Sequence, residues 1–176
     1  MLHEDSTNVI PENSLSVFDL QQAESPEQIA TVRELFLEYA QSLGFSLCFQ
    51  GFDQELAALP GEYAPPTGRL LLATQDETAV GCVALHRLND EHCEMKRLYV
   101  RPQFRGRGLG VHMAKRIIAD ARQIGYKYLR LDTVEPVMRT AVAMYRRFGF
   151  HEIAPYRPNP IDGALYMELE LGKEIP

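Results

Sequence analysis

Along residues 26–43, Ile29, Val32, Leu35, Phe36, Tyr39, Ala40 and Leu43 recur at helical spacing, the stripe of a helix buried on one side. Ser25 followed by Pro26 starts that helix, Gln28 can complete a capping box, and Gly44 can end it. Ahead of it, SLSVFDL (14–20) alternates apolar and polar positions as a strand does. A short second helix is predicted from Asp53 to the stop at Pro60. PGEYAPPTG (60–68) reads as a stiff loop. Three strand patterns follow closely, at 69–75, 79–88 and 93–100. Asp76-Glu77 and Asn89-Asp90-Glu91 between them are of hairpin length, which predicts an antiparallel meander. Helix (108–124), strand (128–134), helix (137–147) and strand (150–154) then alternate, and ALYMELEL (164–171) closes the chain as a last strand. A meander followed by βαβ-like units predicts an α/β fold, with a mixed sheet and helices on both faces.

At 176 residues, 45% of them hydrophobic, the chain fits one core. Residues 1–13 read as a mobile polar tail and 14–176 as a single domain. No apolar run approaches the roughly 20 residues that span a bilayer. The first residues also lack the basic start and apolar stretch of a secretory signal, so no membrane partner is expected. Cys48, Cys82 and Cys93 fit neither a disulfide framework nor a zinc site, and a reduced, cytoplasmic setting is the expectation. The histidines form no metal-type pair at helical spacing, so no metal is expected.

The net charge of −6 argues against nucleic acid as a partner. It conceals a split. Residues 1–93 carry 3 basic and 15 acidic side chains, whereas Lys96 to Arg147 carry 13 basic and 3 acidic. The basic stretch predicts a surface that faces anions.

The basic stretch contains KRLYVRPQFRGRGLGVHMAKRIIADARQIG. A strand ends at Val100, Pro102 terminates it, and a loop with Gly106, Gly108 and Gly110 opens a helix. Glycines let a ligand approach the backbone, and amides at a helix N-terminus favour phosphate or pyrophosphate. Arg105 and Arg107 can add charge-assisted hydrogen bonds. A P-loop is excluded, because Gly110 is followed by Val111 rather than Lys-Ser/Thr. A dinucleotide-binding turn would follow the first strand of a parallel sheet, not a meander.

The pattern Arg/Gln-x-x-Gly-x-Gly/Ala, present as Arg105, Gly108 and Gly110, resembles the GNAT superfamily of N-acetyltransferases, which use acetyl-CoA. LYVRP (98–102) resembles that family's fourth strand, and AVAMYRRFGF (141–150) its alanine-x-x-x-tyrosine helix leading into Gly-Phe. The resemblance covers about residues 69–171, and the first 68 residues correspond to the variable acceptor-binding part. It implies that backbone groups of Leu98, Tyr99 and Val100 hold the pantetheine arm. It also implies that the amides of Arg105, Gly106, Arg107, Gly108, Leu109, Gly110 and Val111 cradle the pyrophosphate, and that an N–H near Leu98 or Tyr99 polarises the thioester carbonyl.

The same resemblance makes Tyr145 the general acid for the departing thiolate, although a core aromatic beside Ala141, Val142 and Phe148 is the plainer alternative. Met138 stands where the family often has asparagine, so that polar anchor is either missing or supplied elsewhere, for example by Thr133 or Thr140. Glu94 is the candidate base, directly or through water, and strand alternation would put it on one face with Lys96 and Leu98. An ion pair is its structural alternative, and Asp132 and Glu135 are competing bases. Tyr39, Phe49, Phe52, Asp53 and Tyr63 are candidates for the acceptor pocket. The expected activity is direct acetyl transfer to the primary amine of a small molecule. A protein or peptide acceptor, or a non-catalytic acyl-CoA-binding sensor, are the alternatives. A homodimer is left open.

Overall fold

Local sequence rules set the first helix. A computed structural model describes residues 18–172, so the predicted 1–13 tail and the first part of the 14–20 strand lie outside the described residues. Strand β1 (Asp19–Gln22) leads to α1 (Pro26–Ser42). Its Ser25 cap accepts from the Gln28 amide while the Gln28 side chain accepts from the Ser25 amide, a complete capping box. The short helix α2 (Phe52–Ala58) follows. Three strands, β2 (Arg69–Gln75), β3 (Thr78–Arg87) and β4 (His92–Val100), make the predicted meander. Then come α3 (Leu109–Ile124), β5 (Tyr128–Val134), α4 (Arg139–Arg147), β6 (His151–Glu152) and β7 (Ala164–Glu170).

The strands form one sheet in the order β1-β2-β3-β4-β5-β7-β6, antiparallel except for β4 beside β5. Thus β4-α3-β5 is a true βαβ unit, but the strand after α4 does not continue the parallel pattern. It shrinks to two residues at the edge, and β7 enters between it and β5. The helices cover both faces. One core gathers Leu109, Met113, Ile117, Ile118, Tyr145 and Phe148 from the α3/α4 side. The other gathers Val32, Leu35, Phe36, Phe52 and Tyr63 from the α1/α2 side.

Two irregularities of β4 position the site. Cys82 pairs with Tyr99 and Ala84 with Lys96, so Val83 stands opposite both Arg97 and Leu98. Arg97 absorbs this bulge with φ +58°, a left-handed conformation uncommon for an arginine. The extra residue shifts the alternation. Leu98 and Val100 therefore join Met95 against the α3/α4 core, whereas Arg97 and Tyr99 face the α1/α2 side. The expected common face of Glu94, Lys96 and Leu98 is corrected accordingly: Leu98 points to the opposite side. Secondly, β4 and β5 pair only from His92–Glu94 to Tyr128–Arg130. Beyond that point they part.

Candidate functional site

The parting strands leave a cleft of about 1240 Å³. Each strand remains paired on its outer side, β4 with β3 and β5 with β7, so the gap splits the sheet without unravelling it. Main-chain groups of β4 beyond Glu94 are left without a β5 partner on that side, a free edge suited to an extended ligand. The cleft connects the two faces. Leu109, Ala141 and Tyr145 line it from the α3/α4 side, and Tyr39, Leu47 and Phe49 from the α1 side. Leu98, Tyr99 and Val100 form its β4 wall.

At one end lies the glycine loop. Gly106 (φ +77°) and Gly108 (φ +80°) are left-handed, and a Cβ added to either would meet nothing within 4 Å. Gly108 is the N-cap of α3 and offers no side chain, so the first amides of α3 lack a side-chain cap. Space, left-handed backbone and uncapped amides together fit a phosphate or pyrophosphate. Not every predicted member is available: the Arg105 amide donates to the Pro102 carbonyl and its Nε to the Val100 carbonyl. Arg105 therefore leaves the set of cradling amides. Gly106, Gly108, Leu109, Gly110 and Val111 line the cleft, whereas the Arg107 side chain lies over the Phe104 ring.

Tyr145 meets the cleft where the two faces join. It is 6% exposed, packs on Phe150 with ring centroids 5.6 Å apart, and its hydroxyl has no hydrogen-bond partner among the described residues. Burial holds that phenol protonated well above its ordinary range. The core-aromatic and the cleft-facing readings thus coexist in one side chain. Thr133 and Thr140 both line the cleft, and the Thr133 hydroxyl is directed at the Met138 sulfur, 3.1 Å away. Among the arginines of α4, Arg146 is engaged by Glu135 and Glu152, while Arg147 lines the cleft.

Glu94 is the main correction. It is 0% exposed and does not line the cleft. His86 Nε2 lies 2.9 Å from its Oε1, Tyr156 donates its hydroxyl to Oε2, and Arg157 forms an ion pair with it. Buried carboxylates need such partners, and this one has no face left for a substrate. The carboxylate that does line the cleft is Asp132, which accepts from Gln50 (3.2 Å), Arg157 (3.2 Å) and Asn159 (3.3 Å). Of the suggested pocket residues, Tyr39 and Phe49 line the cleft. Phe52 lies beneath Arg97 at 5.2 Å, Tyr63 donates to Glu55, and Asp53 is exposed elsewhere. The 60–68 loop does not line it either; residues 42–50 and Asn159 wall that end.

Sequence reasoning alone had no access to Arg157, Asn159 or Gln50, because no local pattern marks them. Lys96 was visible only as a possible partner for Glu94; it lines the cleft with no hydrogen bond or ion pair to another described residue.

Residues 29–150 match the model of the acetyltransferase (GNAT) family. An uncharacterized N-acetyltransferase of Schizosaccharomyces pombe is 43% identical over 150 residues, spanning 84% of this chain and 91% of that protein. Among solved structures, an acetyltransferase of Streptococcus agalactiae superposes with a TM-score of 0.72 at 20% identity, over 87% of this chain and 98% of its own. A GNAT family acetyltransferase from Elizabethkingia anophelis, solved with acetyl-CoA bound, gives a TM-score of 0.60 at 20% identity, over 87% and 97%. No helix among the described residues is long and apolar enough to cross a membrane.

Proposed function

The chain belongs to the GNAT family of acetyltransferases, whose co-substrate is acetyl-CoA, and on that premise we propose that it acetylates the primary amine of a small molecule by direct transfer. The observation that carries this reading is the two-faced cleft. One face ends in uncapped helix amides and left-handed glycines suited to phosphates, the other in a pocket that mixes the aromatic rings of Tyr39, Phe45 and Phe49 with the charges of Lys96 and Asp132, and Tyr145 stands between them.

The amides from Gly106 to Val111 hold the pyrophosphate, and the free edge at Leu98, Tyr99 and Val100 holds the pantetheine arm. A main-chain N–H of that edge stabilises the charge that develops on the thioester carbonyl oxygen. The amine nitrogen attacks the acetyl carbon, the C–S bond breaks and an amide bond forms. Tyr145 gives its proton to the departing thiolate, a role that its place in the cleft and its free hydroxyl support. The attacking amine must lose a proton, since an alkyl amine holds it up to a pKa of about 10.4 in water. Asp132, the carboxylate in the cleft, takes the place that the sequence offered to Glu94. The pocket walls of residues 42–50 and Asn159 favour a small acceptor over a polypeptide.

Thiol release from acetyl-CoA, screened against small amines and peptides, tests this reading. Stimulation by small amines is the expected result. Stimulation by peptides alone would replace the acceptor class, and CoA binding without turnover on any amine would leave a sensor.

A further inference from the structure

The α1 face of the cleft carries three charged side chains, Lys96, Arg97 and Asp132. Two are satisfied. Arg97 is held by both carboxylate oxygens of Glu55 and by the Gln50 side-chain oxygen Oε1, and Asp132 accepts from Gln50, Arg157 and Asn159. Lys96 alone of the three makes no hydrogen bond or ion pair with another described residue. Three carboxylates act on it through space without an ion pair: Glu55, which Arg97 holds, Asp132, which accepts from Gln50, Arg157 and Asn159, and the solvent-exposed Glu62. Glu94, on the same strand face, is sealed by His86, Tyr156 and Arg157. An ammonium largely out of water with no counter-ion is unfavourable. Burial and the neighbouring Arg97 both pull its proton affinity below the ordinary lysine range. Tyr39, whose ring lies under the Arg97 guanidinium at 6.0 Å, lines the same cleft, and its hydroxyl makes no hydrogen bond among the described residues.

The acidic bias of the first half of the chain predicts a cationic acceptor, but at this end of the cleft that bias is neutralised. Glu55 belongs to Arg97 and Glu38 to Arg101. Among the charged side chains that line the cleft on this face, what remains unpaired is positive. Resting on the reading of a small amine acceptor, we propose that the acceptor also bears a carboxylate, and that Lys96, assisted by the Tyr39 hydroxyl, binds it: the substrates are amino-acid-like amines. A carboxylate in the pocket supplies the counter-ion that Lys96 lacks, and Asp132 stands on the same face to receive the amine end.

The test compares the full chain with Lys96→Met and Lys96→Arg on matched acceptors: phenylalanine, phenylalanine amide and phenethylamine, with alanine and alanine amide as a smaller pair. Thiol release is followed with acetyl-CoA saturating, and CoA affinity is measured separately to establish that each variant is folded. Wild type is expected to favour the carboxylate form of at least one pair by about 10- to 100-fold in kcat/KM, the range of a hydrogen bond to a charged group. Lys96→Met is expected to bring that ratio near one through KM, with CoA affinity retained, and Lys96→Arg to restore part of it. Wild-type preference for the amides or phenethylamine would overturn the proposal while leaving a small-amine acetyltransferase intact. So would a uniform loss of kcat on every amine in Lys96→Met, which would make Lys96 a base. Turnover with peptides alone would sink the small-acceptor reading and this inference together.

Discussion

Arg97 and Glu55, 42 residues apart, meet through two hydrogen bonds, Nε to Oε1 at 3.1 Å and Nη2 to Oε2 at 2.6 Å. This pair ties α2 to the bulge of β4, where Arg97 takes its left-handed backbone, and so helps fix which side chains of β4 face which ligand. The arginine side chain is 3% exposed and the glutamate 12%. Removing one partner leaves a buried charge uncompensated. Glu55→Ala is expected to lower stability by about 3–5 kcal/mol. Glu38→Ala breaks a more exposed pair, with Arg101 at 22% and Glu38 at 35%, and is expected to cost about 1 kcal/mol or less. Urea unfolding of the two variants checks the contrast; equal losses would deny the bulge its anchor.

Tyr145 has no protein partner for its hydroxyl, so its removal separates chemistry from packing. Tyr145→Phe is expected to retain stability and CoA affinity while turnover at saturating acetyl-CoA falls by about 100-fold. Unaltered turnover would return Tyr145 to a packing role alone.

Gly108 and Gly125 bracket α3 with the same left-handed backbone, φ +80° and +106°, and open space around each added Cβ. A side chain at either position carries a strain of about 1 kcal/mol, but only Gly108 borders the cleft. Gly108→Trp is therefore expected to weaken CoA binding more than about tenfold, and Gly125→Ala to leave it unchanged. Titration calorimetry with CoA distinguishes them; equal affinities would move the phosphates elsewhere.

His86 is pushed down to about 4 by burial first, and then by the positive charge of Lys96 and Arg157, against the pull of Glu62 and Glu55. The folded state thus binds its proton less readily than the unfolded chain, whose histidine titrates near 6.5. The stabilisation is complete above the unfolded value and is lost as pH falls from about 6.5 to 4. His86→Gln is expected to flatten the pH dependence of unfolding in that window relative to wild type. Parallel curves would place the acid sensitivity on other groups.

Much of this molecule was legible from local pattern. The stripe and capping box of α1, the meander, and the run of strand, proline, glycines and helix that makes the phosphate-suited loop all depend on neighbours a few residues apart. That is the range over which hydrogen-bond geometry and side-chain periodicity act. Tyr145 was singled out by the family resemblance of the 141–150 segment; its spacing alone left a core aromatic equally open. Tertiary structure decided the rest. Simple alternation could not foresee that one extra residue at Arg97 would turn Leu98 away from Glu94 and Lys96. Nor could it foresee that Tyr156 and Arg157, more than sixty residues along the chain, would seal the carboxylate that looked like a base. The charge balance met the same limit. Counting along the chain made the first half acidic, but only folding shows which acids are already paired and leaves Lys96, of the three charged side chains on the α1 face of the cleft, without an ion-pair partner among the described residues.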